Sequence, residues 1–190
     1  MTRGLPRTLA RAATREAGLA PPRLGLKAVT TGQGGSFRTV FTFAGMQVPV
    51  AKAQSYAGQL LFNFAKGKVR LKGGTARLQV AALSDRAATI KNNASLAWAL
   101  GSAPASATAL AGTMANFAAA TTRTLDGAGN ALSSVSRADL AAAATLDGTV
   151  TPVSLYLNLA FATGTDIAAD GTLAVTGTIT LLWEHWGDNA

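Results

Sequence analysis

Apolar and polar residues alternate along much of the chain. In residues 37–43, Phe37, Phe41 and Phe43 share one side with Thr39, and Arg38, Val40 and Thr42 take the other. A period of two predicts a half-buried strand, which Gly45 and Pro49 then interrupt. Residues 60–64 form a second strand candidate. Residues 68–72 alternate strictly, with Lys68, Arg70 and Lys72 against Val69 and Leu71. Gly73-Gly74 then turns the chain, and residues 75–81 place Ala76, Leu78 and Val80 on one face. This pair is expected as a β-hairpin.

Residues 86–145 carry a weaker pattern, rich in Ala, Ser and Thr. Their best strand is 95–100, with Leu96, Trp98 and Leu100 inward. Alanine content allows helix over 103–120, but Thr108, Gly112 and Thr113 argue against a long one. A short helix is expected at 136–144, where Ser136 can cap alanine-rich turns containing Asp139.

The last third is plainer. Leu155, Leu157, Leu159 and Phe161 face one way, and Tyr156 and Asn158 the other. Turn residues follow at 163–166 and 170–171. From Thr172 to Trp183 the alternation resumes, with Leu173, Val175, Ile179 and Leu181 inward. A phase change near Gly177 points to a bulge. Eight to ten short strands and little helix predict an all-β fold, a β-sandwich or jelly roll. No strand is followed by a long crossover helix, which disfavours α/β.

Composition narrows the chemistry. The chain has 190 residues, room for one ordinary domain. It holds no Cys and one His, so a disulfide framework, a thiol nucleophile and a two-histidine metal site are excluded. No run of 18 apolar residues occurs, so no transmembrane helix and no membrane partner are expected.

The net charge of +8 is unevenly spread. Residues 1–77 hold 13 Lys or Arg and one acid, Glu16; residues 78–190 hold 4 bases and 8 acids. The halves are therefore +12 and −4. Arg3, Arg7, Arg11 and Arg15 recur every four residues, a stripe on a helix. With Arg23 and Lys27 they make a short basic helix or arm over 1–29, ended by Gly18 and Pro21-Pro22. Residues 30–190 are then the sandwich domain, joined through a flexible segment at 31–35. Four readings of the arm stand open: a solvated tail, an arm packed on a neighbouring subunit or acidic protein, a salt-sensitive phosphate contact, and a targeting peptide.

The search for catalytic groups is short. His185 lies between Trp183 and Trp186 near the terminus, with no nucleophile or orienting carboxylate assigned to it. A core-edge or interface histidine is the better reading. Asp126, Asp139, Asp147, Asp166 and Asp170 sit mostly in turns. Thr-Leu-Asp-Gly occurs twice, at 124–127 and 145–148, as Asp-Gly turns at strand ends. Asp166 and Asp170 suit a calcium loop in ligand type only, without the clustered acids of an EF-hand. The segment 32–35 lacks the Lys-Ser/Thr of a phosphate loop and precedes a strand. No enzyme activity, cofactor, metal or small-molecule substrate is expected.

The stronger candidate is the basic strip of Lys66, Lys68, Arg70, Lys72 and Arg77. It reads either as an edge strand guarded by its charges or as a docking strip for an acidic protein or a phosphate backbone. Stacking aromatics are missing from it, which weakens single-strand nucleic-acid binding. Trp183 and Trp186 either bury on a neighbour as an oligomer interface or close the chain's own core.

Some segments carry a resemblance. Residues 148–161, residues 171–183 and the closing Gly187-Asp188 resemble the C-terminal end of small virion proteins of tailed bacteriophages. Residues 100–113, and 45–64 with Val48-Pro49-Val50, are similar to earlier parts of the same proteins. The resemblance implies a capsid decoration or cement subunit, made in the host cytoplasm and carried on the virion's capsid surface. It would bind the major capsid protein and itself, as a homo-oligomer and, by the class of protein, a trimer. In that setting Arg3, Arg7, Arg11, Arg15, Arg23, Lys66, Lys68, Arg70 and Lys72 are the expected docking residues. A neck, tail or fibre-adaptor component, a nucleic-acid-associated packaging protein and a carbohydrate-binding or hydrolytic sandwich are the alternatives.

Overall fold

A computed structural model describes residues 24–52, 54–82, 90–91, 93–125, 133–140, 145–163 and 166–187, with side chains of 133–138 excepted. The helix expected around Arg3, Arg7, Arg11 and Arg15, and Arg23 with it, lies outside the described residues.

Ten strands follow in chain order: β1 Leu26–Gln33, β2 Ser36–Val50, β3 Tyr56–Asn63, β4 Gly67–Ala82, β5 Ala94–Gly101, β6 Ala118–Leu125, β7 Ser133–Asp139, β8 Thr145–Gly148, β9 Ser154–Phe161 and β10 Gly171–His185. One sheet runs β1-β2-β10-β4-β7, with β8 also paired to β4; the other runs β3-β9-β5-β6. The strand pairings are antiparallel. The fold is a β-sandwich, as the period of two predicts.

Alternation explains the core. Phe37, Thr39, Phe41 and Phe43 of β2, Leu155, Leu157, Leu159 and Phe161 of β9, and Leu173, Val175, Ile179, Leu181 and Trp183 of β10 are all buried. They meet Leu61, Phe62, Phe64, Val69, Leu71, Leu78, Leu96, Trp98 and Phe117 in one continuous core between the sheets. Trp183 is the hub of its aromatic part, stacked on Phe37 at 4.6 Å and edge-on to Phe64 at 4.8 Å.

Several local expectations are corrected. Gly73-Gly74 does not turn the chain: β4 passes straight through it. The inward set is Val69 and Leu71 before this point, and Ala76, Leu78 and Val80 after it. Here the pairing with β10 slips by one residue, from Leu182 opposite Gly73 to Trp183 opposite Leu71. Lys72 is the extra residue, so a bulge beside the two glycines keeps both halves of one long strand facing the same core. Both glycines have positive φ, +125° and +147°, and a Cβ on Gly74 would run into the Thr180 carbonyl oxygen. A sequence reader sees two glycines between alternating runs in either case; only the partner strand distinguishes bulge from turn.

The segment expected as a flexible joint is instead the tight turn Gly34-Gly35, which joins β1 to β2 with Gln33 opposite Ser36. The last four residues of the expected arm, 26–29, thus belong to β1. Gly45 and Pro49 do not end β2. The bulge expected near Gly177 is a slip between Val175 and Thr176, and the extra residue is Gly45 on β2, at φ +71°. The short helix expected from Ser136 is instead strand β7 up to Asp139, paired residue by residue with β4; residues 141–144 lie outside the described residues. Ladder pairing with a sheet already in place overrides a capping signal worth about 1 kcal/mol. Between β5 and β6 the alanine-rich stretch makes one 3-10 turn, Gly112–Met114.

Candidate functional site

The candidate site is the outer face of the six-stranded sheet. Strand order decides its composition. On β4, Lys68, Arg70 and Lys72 point outward before the bulge and Arg77 after it, so the phase slip keeps all four on one face. Register then adds residues from strands far away in sequence. Arg77 lies opposite Thr178, which lies opposite Thr42, which lies opposite Lys27. Arg38 lies opposite Leu182, beside the same bulge. Lys27, Arg38, Lys72 and Arg77 are exposed, and Lys68 and Arg70 are half-buried. Lys66 is exposed just before β4 begins.

Around these cations the face is neutral. Thr42, Thr75, Thr176, Thr178 and Thr180 project from it, with Val29 and Leu182 as exposed apolar side chains. Glu184 contributes an acid and pairs with Lys72 at 3.1 Å. An exposed pair of this kind contributes little stability, so it orients Lys72 more than it holds the fold. Asp147, opposite Lys68 on β8, is a second acid nearby. Asp139, opposite Thr75 on β7, is a third acid, so the six cations outnumber the acids on this face.

The two terminal tryptophans separate here. Trp183 is 1% exposed and fills the chain's own core, where its indole N–H donates to the Thr39 hydroxyl at 2.9 Å. The oligomer-interface expectation for Trp183 is corrected: its position on β10 has inward parity, so no ring is left to offer a neighbour. Trp186 is 46% exposed, and the Arg70 guanidinium sits 5.8 Å from its ring centre. That places an aromatic beside the basic strip, drawn to it as a cation to a π face. The backbone carries Trp186 there. Its N–H donates to the Lys68 carbonyl at 2.9 Å, and the Lys68 N–H donates to the Gly187 carbonyl at 3.3 Å. His185 is a strand-end residue whose Nε2 lies 2.9 Å from the Lys66 carbonyl oxygen. It tethers the start of β4 to the end of β10.

Asp147 shows how the turn acids are used. Thr149 donates both its hydroxyl, at 2.6 Å, and its N–H, at 3.0 Å, to one Asp147 oxygen. Those bonds, the hydroxyl first, hold the carboxyl below its ordinary range, with Lys68 adding a smaller pull. The folded form thus prefers the carboxylate. Its contribution to stability is present above the unfolded-state pKa and is lost as pH falls through the lower folded value. Thr149→Val is expected to return the Asp147 titration, followed by side-chain carboxyl NMR, toward the ordinary aspartate range. An unchanged midpoint would show that the threonine hydroxyl is not the cause.

Among the described residues the other acids do not gather into a cluster. Asp170 accepts the Lys52 N–H at 2.8 Å and Asp166 the Thr163 N–H at 3.3 Å. An open groove of about 420 Å³ lies where β2, β3 and β10 meet, lined by residues that include Pro49, Gln54, Tyr56 and Asp170. Among the described residues lining it, Asp170 is the carboxylate.

Alternation had placed Arg38 outward, but nothing in the sequence showed that β1 and β2 share a sheet with β4. Lys27 and Arg38 were therefore missed as members of the basic face. Asn158 was missed for a related reason. It points to the outer side of the second sheet as expected, yet it is fully buried beneath residues 102–117.

Among the described residues no helix is long and apolar enough to cross a membrane. The sequence matches no family model and no curated protein. Among solved structures, the chain is similar to one in the structure of infectious bursal disease virus, Gx strain. The TM-score is 0.37 at 15% identity, over 90% of this chain and 39% of that one. It is also similar to a xylan-binding domain from CBM 22, with a TM-score of 0.25 at 11% identity, over 84% of each chain. Likenesses of this size establish neither a shared family nor a shared activity.

Proposed function

We propose that this protein is a structural component of a virion, of the tailed-phage kind that its later strands resemble. It docks on the major capsid protein as a decoration or cement subunit. The observation that supports the reading is the basic outer face of the six-stranded sheet. Lys27, Arg38, Lys68, Arg70, Lys72 and Arg77 lie across a threonine-rich sheet face. Such a surface suits an acidic protein lattice, because complementary charge sets orientation and encounter rate more than it sets raw affinity. Extended phosphate binding is the poorer fit. Single-strand binders stack successive bases on several rings, and the ring beside this strip, Trp186, is engaged by Arg70.

Co-sedimentation with shells assembled from the major capsid protein of the same virus tests the reading. The double variant Arg70→Glu/Arg77→Glu is expected to bind about tenfold more weakly or worse, and native binding is expected to fall as salt rises. Unchanged binding by the charge-reversed variant would sink the basic face as the docking surface. Absence of shell binding with strong, salt-steep DNA binding would replace capsid docking with nucleic-acid packaging. Binding to purified tail or neck assemblies and not to shells would move the protein to that part of the particle.

A further inference from the structure

We infer that β1 is the site of self-association: two copies pair their β1 edges antiparallel about a two-fold axis at Val29. This goes beyond the docking role of the outer face and does not rest on it.

Strand β1 ends the six-stranded sheet, and among the described residues its outer edge pairs with no strand. The Gly25 carbonyl accepts the Ala44 N–H at 2.8 Å, so the odd-numbered residues of this stretch bond to β2. By ladder parity, Leu26, Ala28, Thr30 and Gly32 turn their N–H and C=O groups away from the sheet. Those groups form a regular, unpaired row, which is a template for another strand.

Natural edges are normally protected by bulges, prolines, charges or shortness. The other edge strands of this sandwich show such features. The pairing of β3 slips between Leu60 and Phe62, and that of β6 slips opposite Trp98 and Leu100. Strand β7 carries Arg137 and Asp139, and β8 is four residues long. In contrast, β1 pairs with β2 over eight residues with no slip, and contains no proline and one charge, Lys27.

The sequence of β1 also fits itself. An antiparallel pair centred on Val29 sets Ala28 against Thr30 and Leu26 against Gly32 of the second copy, so every outward-facing backbone group finds a partner. Val29 meets Val29 across the axis as a non-hydrogen-bonded pair, the closer of the two spacings. Val29 is a 47% exposed valine on a mostly polar face, and this pairing covers it. Lys27 comes opposite Thr31, not opposite the other Lys27. The two basic outer faces then lie side by side on one continuous sheet.

The absence of any native cysteine makes the test direct. In a non-hydrogen-bonded antiparallel pair the Cα atoms stand about 4.5 Å apart, within disulfide reach. Full-length Val29→Cys under mild oxidation is expected to form a covalent dimer about a hundredfold faster than Val150→Cys. Pairing holds the two thiols at millimolar or higher effective concentration, whereas Val150 is a 90% exposed site remote from the edge. Light scattering is expected to give the native chain twice the monomer mass, and Val29→Lys the monomer mass, because like charges then face each other. A monomeric native chain would overturn the inference. So would cross-linking no faster than the control, or a dimer that survives Val29→Lys.

Discussion

Replacing Trp183 by alanine is expected to destabilise the domain by about 3–5 kcal/mol, the usual cost of deleting a buried large aromatic. Three features put this site at the high end. The ring is 1% exposed and touches the ring of Phe37 at 4.6 Å and that of Phe64 at 4.8 Å, with Phe62 at 6.3 Å. Its removal therefore opens a cavity lined by rigid rings that cannot collapse into it. The indole N–H also bonds to Thr39, a threonine that is itself fully buried. Trp183→Phe keeps most of the ring volume and is expected to cost far less. It removes the donor as well as the bond, and the Thr39 hydroxyl still meets Thr30 at 2.9 Å. Thr39→Val does the reverse. It leaves a buried indole N–H unmatched and is expected to cost about 1–3 kcal/mol. Urea denaturation of the three variants checks the order. A small loss for Trp183→Ala, together with a halved native mass, would instead indicate an interface residue.

Asn158→Ala is expected to cost about 3 kcal/mol and to free the segment that covers the second sheet. The side-chain amide donates to the Ala103 and Met114 carbonyls at 2.9 and 2.8 Å, and its oxygen accepts the Ala105 N–H at 2.8 Å. Alanine would leave three backbone groups without that partner, in a place shielded from water. Leu110 and Met114, which pack with Ala99 and Ala160 under this cover, would be exposed with it. Asn158→Asp is expected to be at least as damaging, because a carboxylate has no N–H to give the two carbonyls. Proteolysis between residues 103 and 114, and faster amide exchange at Ala105, are the readouts. Full protection in both variants would mean that packing alone holds the segment. Gly58 on β3 belongs to the same arrangement, since a Cβ there would approach the Ala105 nitrogen to 2.6 Å.

Residue parity was the legible part of this protein. Phe37, Thr39, Phe41 and Phe43, and later Leu155 through Phe161, point inward where a period of two says they must. Burying one side of a strand leaves the chain no other choice over that length. The outward set Lys68, Arg70 and Lys72 was legible for the same reason. Glycine was legible as an irregularity but not as a kind of irregularity. Gly34-Gly35 makes a turn, Gly73-Gly74 follows a bulge at Lys72 within a continuing strand and Gly45 is a bulge on the partner of β10, although each looks locally like a break. Whether a glycine reverses a strand or only shifts its phase depends on what pairs beside it. Asn158 shows the same limit on the outer side of the second sheet, where parity gives direction and cannot report what lies on top.

The sequence by itself thus determined an all-β chain, the content of its core and the outward direction of its cations, because these follow from alternation within single strands. Only the tertiary structure decided which strands are neighbours. Neighbourhood is set by long-range hydrogen bonding and by burial of two faces against each other, and neither leaves a mark within one strand. That ordering joined Lys27 and Arg38 to the β4 cations, brought Trp186 beside Arg70 of β4, and left β1 at an edge where a second copy can pair.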